Sequence, residues 1–243
     1  MRTLEKIAVL IDADNTQLAK VELAIQDIST RGRIVVKRAY GNWKKDNLRR
    51  WEEELKRLAI KAEQQFDYVA GKNATDMALV IDAIELLYSG SYDAFALMAS
   101  DSDYTPLAIK LHESGVYVFG VGEKKTPESF RNACDEFIFL ENLEPRTAGK
   151  VQAAAPASEE QGSMEDIHAL LHKAWETYQE EDGFVFVSAA GQFLKRAKPD
   201  FDARTYGYAK MSQLLEAFPD RYVMRREEPN GVGAAAILSY SCK

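Results

Sequence analysis

Aspartates stand at the ends of three apolar segments in the N-terminal half of this sequence. Asp12 ends the run KIAVLID, Asp76 follows the run FDYVA after the intervening segment GKNAT, and Asp101 follows the run AFALMAS. Carboxylates that lie together repel one another unless a cation neutralises them, and Mg²⁺ and Mn²⁺ prefer oxygen ligands. The chemistry that most needs such a site is phosphodiester hydrolysis, in which a metal activates water and neutralises the leaving oxygen.

The elements that must position these acids can be predicted from periodicity. Five β-branched or aromatic runs predict strands, at 6–12, 33–40, 66–70, 94–100 and 116–122. Four segments between them have helical periodicity, at 17–30, 45–64, 75–89 and 103–114, with Thr75 as a cap and Gly115 as a stop. This alternation predicts an α/β fold with a parallel sheet and helices on both faces.

Ligands of such sheets bind beyond the carboxyl ends of the strands, where the acids stand. Any one of these acids could instead be an ordinary turn or cap residue, so the prediction rests on several strand ends converging. The predicted catalytic acids are Asp12, Asp76, Asp101 and Asp103, the first three of them as ligands of Mg²⁺ or Mn²⁺. Asn15 and Ser100 are their predicted polar neighbours.

Composition divides the chain and limits its class. The stretch after Glu144 is rich in Ala, Pro, Ser, Gly and Glu, which predicts a flexible linker at 147–163 between domains at 1–146 and 164–243. The second domain reads as three helices, at 164–180, 188–197 and 210–218, followed by a hairpin, which indicates a small winged helix-turn-helix unit.

Of the 243 residues only 2 are cysteines, which excludes a disulfide framework, and no apolar run is long enough to span a membrane. We therefore expect a soluble, cytoplasmic protein without a membrane partner.

The formal net charge of −7 hides a local excess of positive charge. Between Arg31 and Lys61 there are eleven Lys or Arg against four acids, and Trp43 and Trp51 are interleaved with them. Cations among aromatic rings suit single-stranded nucleic acid, although a solvated amphipathic helix with Trp51 in the core explains the same pattern. The predicted RNA-binding residues are Lys44, Lys45, Arg49, Arg50, Lys72, Lys124, Lys125 and Arg131.

The segment LIDADNT also fits a phosphatase pattern. In that reading Asp12 is a nucleophile and Asp14 an acid, as in haloacid-dehalogenase-like phosphatases. The later acids stand where that family has its Ser or Thr motif, so this reading ranks second.

Several motifs, in order, resemble a known family. LIDADN, GKNATDMALVIDA and the long segment that begins ASDSDYTPLAIKLHESG resemble the NYN domain, a branch of the PIN-like ribonucleases, particularly its bacterial limkain-related members. The resemblance covers residues 5–143 and implies a PIN-like fold, a divalent-metal site and cleavage of RNA.

A second resemblance concerns the C-terminal half. The segment GYAKMSQLLEAFPDRYVMRRE is similar to the core of the LOTUS domain, also called OST-HTH, a winged-helix module of proteins that bind RNA. It implies RNA as a partner, and a protein partner is also possible. Together these observations predict a metal-dependent endoribonuclease with a C-terminal RNA-binding module; the alternative is an RNA- or protein-binding adaptor on an inactive nuclease fold.

Overall fold

The computed structural model of the protein describes residues 4–67, 73–143, 164–227 and 236–243. The chain divides into two compact units, Met1–Pro145 and Arg146–Lys243. The predicted linker lies outside the described residues, so the domain boundaries drawn from composition stay a prediction. Among the described residues, no helix is both long and apolar enough to cross a membrane.

The first unit is built on a six-stranded parallel sheet. Its strands are β1 (Leu4–Asp12), β2 (Gly32–Gly41), β3 (Lys61–Gln64), β4 (Ala94–Met98), β5 (Tyr117–Gly122) and β6 (Glu136–Phe139). They are ordered β3-β2-β1-β4-β5-β6, and every neighbouring pair is parallel. This arrangement confirms the predicted PIN-like α/β fold.

Helices connect the strands. They are α1 (Leu18–Ser29), α2 (Trp51–Arg57), α3 (Ala74–Tyr88), α4 (Thr105–Glu113) and α5 (Glu128–Asn132). Strand β1 is buried on both faces, because Ile7, Val9 and Ile11 belong to one apolar core while Ala8 and Leu10 belong to another. Such two-sided burial is typical of a central strand in a parallel sheet.

The strand order reverses between β1 and β4. Strand β2 follows on one side of β1, whereas β4 lies on its other side and leads to β5 and β6. At such a switch point the connections leave in opposite directions and open a crevice beyond the carboxyl ends of the strands. Asp12 ends β1, and Asp101 lies three residues after β4, so both flank this crevice.

The predicted helix at 45–64 is wrong in its second half. Helix α2 ends at Arg57, and Ala59 adopts a left-handed φ of 51° in the turn that follows. The backbone N–H of Ile60 bonds the carbonyl of Leu55 at 2.9 Å, which closes the helix in the manner of a Schellman turn. Alanine seldom occupies this conformation, so nothing in the sequence marked the stop.

The third strand lies earlier than predicted, and the sixth was not predicted. The strand expected at 66–70 is replaced by β3, residues 65–67 are irregular, and 68–70 lie outside the described residues. Strand β6 is only four residues long and begins with Glu136, whose charge broke the apolar pattern.

Thr75 does not cap α3 as predicted. Asn73 precedes the helix, and Thr75 is buried in its first turn. Gly115 does end α4 as expected, with a φ of +80° and its N–H on the carbonyl of His112.

The second unit combines three helices with a small antiparallel sheet. The helices are α6 (Met164–Tyr178), α7 (Val187–Ala197) and α8 (Met211–Glu216), and the strands are β7 (Val185–Phe186), β8 (Tyr222–Glu227) and β9 (Ile237–Cys242). Strands β8 and β9 form the predicted hairpin, and β7 adds an unpredicted short strand to β9. Beside its apolar core lies buried His168, whose Nδ1 is 2.8 Å from the hydroxyl of Tyr222.

Candidate active site

Asp12 is a fully buried carboxylate at the end of the central strand. Its Oδ1 accepts bonds from the backbone N–H groups of Asp14 at 3.1 Å and Asn15 at 3.3 Å, and its Oδ2 accepts one from the Asn15 side chain at 2.9 Å. The pKa of Asp12 is raised to about 6, mainly by burial. Repulsion from Asp76 and Asp14 also raises this pKa, whereas the hydrogen bonds from Asn15 lower it. The predicted neighbour Asn15 therefore orients this acid directly.

Asp76 lies in the first turn of α3 and is half-buried. Its Oδ1 accepts a bond from the Tyr104 hydroxyl at 2.6 Å. Burial and the negative charges of Asp101, Asp103 and Asp14 raise the pKa of Asp76, while the Tyr104 bond opposes them. These interactions place acids from three separate segments within electrostatic reach of one another.

Asp101 and Asp103 occupy the turn after β4. Asp101 caps a 3₁₀ turn at Ser102–Tyr104 by accepting the N–H of Asp103 at 3.0 Å, and exposed Asp103 accepts the Asn73 amide at 3.0 Å. Ser100 accepts the N–H of Glu123 at 3.1 Å, so it ties this turn to the end of β5.

Asp14 is held by two other elements. The Thr75 hydroxyl donates to its Oδ2 at 3.0 Å, and the ammonium of Lys45 lies 3.4 Å from its Oδ1. Lys45 also pairs with Asp67 at 3.2 Å. The predicted RNA-binding residue Lys45 thus reaches the edge of the acid cluster.

The donor chemistry of this cluster fits a hard divalent cation, because its charged groups are carboxylates whose mutual repulsion a cation would relieve. In the described part of the chain, however, no three His, Cys, Asp or Glu side chains lie close enough together to form a preformed metal cage. The acids are gathered at one edge of the sheet without converging on a single point.

Sequence comparison decides the family. The NYN domain matches residues 6–141, more than half of the chain, and the OST-HTH/LOTUS domain matches residues 162–232. The chain belongs to the NYN family. NYN domains are PIN-like nuclease domains that generally use divalent metals, and the LOTUS domain indicates RNA binding.

Two solved structures are similar to part of the chain. A crystal structure of a protein of unknown function from Vibrio parahaemolyticus is 20% identical, with a TM-score of 0.46 over 57% of this chain and 94% of that one. A solution structure of an uncharacterized Nitrosomonas europaea protein is 27% identical, with a TM-score of 0.30 over 41% of this chain and 92% of that one. No curated protein matches the sequence.

The NYN match also bears on the phosphatase reading. Thr16, the last residue of the segment that fits the phosphatase pattern, donates its hydroxyl to the carbonyl of Met98 at 3.2 Å. Asp14 is bound by Thr75 and Lys45. Family membership therefore favours a nuclease-like domain over the phosphatase reading.

Several of the predicted RNA-binding residues are exposed. Lys44 lies over the exposed ring of Phe66, with 5.1 Å between its ammonium and the ring centre, and Arg49 and Arg50 are also exposed. Trp51 is only 3% exposed, so it packs in the core and cannot stack on a base. For Trp51 the amphipathic-helix alternative is correct.

The remaining RNA-binding candidates differ in accessibility. Lys124 and Lys125 are exposed after β5, and Lys125 pairs with Glu123 at 2.8 Å. Arg131 is 4% exposed, and its guanidinium lies against the ring of Phe139. The prediction that Arg131 contacts RNA at the surface is therefore wrong. Lys72 lies outside the described residues.

Sequence reasoning missed the neutral side chains that bind the acids. Tyr104, Thr75 and Asn73 each donate a hydrogen bond to a candidate acid. Their proximity in the sequence to the predicted acids could have identified them, because Tyr104 directly follows Asp103 and the other two closely precede Asp76.

Proposed function

We propose that this NYN protein is a metal-dependent endoribonuclease whose C-terminal LOTUS domain recruits RNA. The observation that carries the proposal is the gathering of acids from the end of β1, the start of α3 and the turn after β4 at the switch point of an NYN sheet. In a scaffold of this family, such an edge is where a phosphodiester would meet the catalytic groups.

The proposed roles follow from position and burial. Asp12, Asp76 and Asp101 hold Mg²⁺ or Mn²⁺, and the more exposed Asp103 completes the shell or orients the attacking water. The bound ion would activate water and neutralise charge on the leaving oxygen. Asn15 donates to the Asp12 carboxylate and would keep this ligand oriented when the ion binds.

The phosphate side of the substrate would meet Lys45. Its side chain is 37% exposed, and its ammonium is shared between Asp14 and Asp67. A phosphate oxygen can take over one of these contacts, which would hold the RNA backbone next to the acids without reading its sequence. Exposed Lys44 and Arg50 extend the same cationic surface.

The proposal is tested by incubating end-labelled RNA, and single-stranded DNA of the same sequence, with the full-length protein in Mn²⁺, Mg²⁺ or EDTA. Internal RNA fragments that form with a metal and not in EDTA are expected. RNA that is retained but remains intact in all three conditions would instead favour the adaptor, which the lack of a preformed cage among the described residues keeps as the second candidate.

Lys45→Ala is expected to weaken RNA binding similarly for all sequences. Because one phosphate contact is lost, the slope of log affinity against log salt should fall by about 1. Fluorescence anisotropy with two unrelated RNAs over a salt series measures both effects. Lys56→Ala is the matched control, because Lys56 is exposed on α2 and paired only with Glu52 among the salt bridges described; an equal slope change in both variants would contradict the role of Lys45.

A further inference from the structure

The acids of the proposed metal site are bound mainly by neutral donors. Asn15 binds Asp12, Tyr104 binds Asp76 and Asn73 binds Asp103, whereas the adjacent Asp14 is bound both by Thr75 and by the ammonium of Lys45. A neutral donor fixes the direction of a carboxylate but leaves its charge available, whereas a Lys or Arg would cancel it. Three of these donors also cross between segments, so they hold the cluster together.

Tyr104 is the most constrained of these donors. Its side chain is 1% exposed, and its ring lies 6.5 Å from that of Phe130 in the apolar core. Its backbone ends the 3₁₀ turn that Asp101 caps. Its hydroxyl donates to Asp76 at 2.6 Å and also interacts with the buried carboxylate of Asp12.

This contact joins two of the three segments of the site. Asp76 comes from α3, while Tyr104 shares its turn with Asp101 and Asp103. Because the ring is anchored by packing, the hydroxyl sets both the rotamer of Asp76 and its distance from the other acids. The contact from Asn73 to Asp103, which also links these segments, is exposed and therefore a weaker constraint.

We propose that Tyr104 is a positioning residue that holds the Asp76 carboxylate in the orientation needed to bind the divalent cation. This inference rests on the proposed function, since it assigns a task within the same metal site. In this role Tyr104 would bind neither the metal nor the RNA itself. It acts through Asp76, so its loss should lower metal affinity more than it lowers the rate at saturating metal.

The test compares Tyr104→Phe with wild type by titrating Mn²⁺ into the full-length protein. The substitution keeps the ring and removes the hydroxyl alone, and loss of such an orienting partner should weaken Mn²⁺ binding by about tenfold. The rate of RNA cleavage should fall at low Mn²⁺ and return close to the wild-type rate when Mn²⁺ saturates.

Tyr40→Phe is the matched control. Tyr40 is also 1% exposed, and its hydroxyl also donates to a carboxylate, that of Asp82, which pairs with Arg38 away from the acid cluster. This variant should lose comparable thermal stability while its Mn²⁺ affinity stays at the wild-type value. A purely structural role for Tyr104 would make the two variants behave alike.

A double substitution separates coupling from folding effects. In an Asp76→Asn background, adding Tyr104→Phe should lower Mn²⁺ affinity by less than it does in wild type, because the Asp76 carboxylate is gone and only the interaction of the hydroxyl with Asp12 remains. An equal loss in both backgrounds, or unchanged Mn²⁺ affinity in Tyr104→Phe, overturns the assignment to Tyr104 but leaves the nuclease proposal intact. Failure of wild type to bind Mn²⁺ overturns both.

Discussion

Asp12→Asn is expected to slow RNA cleavage by at least about a thousandfold while RNA affinity stays close to that of wild type. A catalytic metal contributes several kcal/mol of charge stabilisation, and each loss of about 1.4 kcal/mol costs a factor of ten in rate. The substituted amide keeps one oxygen for the backbone N–H groups of Asp14 and Asn15. The Asn15 amide can turn over to accept from the new N–H₂, so the local fold survives.

The measurement is single-turnover cleavage of end-labelled RNA in Mn²⁺, with affinity determined separately in EDTA. Asp82→Asn is the control, because it removes the same charge from a carboxylate on α3 that pairs with Arg38 outside the cluster. Cleavage at the wild-type rate by Asp12→Asn would show that this acid is not part of the reaction. Loss of RNA binding with unchanged cleavage per bound molecule would make Asp12 a binding residue and contradict its catalytic role.

Much of this arrangement could be predicted because it depends on chain order. Asp12 and Asp101 were identified from where they stand after apolar strands, and parallel sheets bring such positions to one edge. That inference needs no knowledge of side-chain contacts. It is also insensitive to errors in the outer parts of the sheet, such as the shifted β3 or the unpredicted β6.

The contacts that refine the site could not be predicted in the same way. From the sequence, Tyr104 is expected to be a core aromatic residue, and its ring is indeed buried. The contact between its hydroxyl and Asp76 is seen only in the structure. Arg131 shows the opposite case, since its position after β5 suggested a surface cation but its side chain is buried against Phe139. Charge type alone does not determine the direction of a long side chain.

The end of helix α2 could not be predicted for another reason. Its end depends on a left-handed alanine, and the sequence carries the stop signal only when glycine or asparagine stands there. The early end of α2 allows β3 to pair with β2, beside the loop that carries Lys45.

In EDTA, Asp12→Asn is expected to be more stable than wild type at neutral pH. Burial raises the pKa of Asp12 from 3.8 to about 6, so the folded state binds the proton more tightly than the unfolded chain does. The contribution of Asp12 to the free energy of unfolding is therefore fully present below pH 3.8 and is lost as the pH rises through about 6. Above that pH the cost of the buried charge is on the order of 3 kcal/mol, and asparagine, which resembles the protonated acid, avoids it.

Urea unfolding of both proteins at pH 4.5 and pH 8 measures this effect. The advantage of Asp12→Asn should be about 3 kcal/mol at pH 8 and shrink to about 1 kcal/mol at pH 4.5. Saturating Mn²⁺ at pH 8 should reverse the order, because the ion binds and stabilises only a folded site with its full set of carboxylates. Asp82→Asn should show neither the gain in EDTA nor the reversal, since Arg38 already compensates its charge. A buried acid that destabilises the metal-free fold and stabilises the metal-bound one is the thermodynamic signature of a ligand, so an Asp12→Asn protein less stable than wild type in EDTA at pH 8 would contradict that assignment.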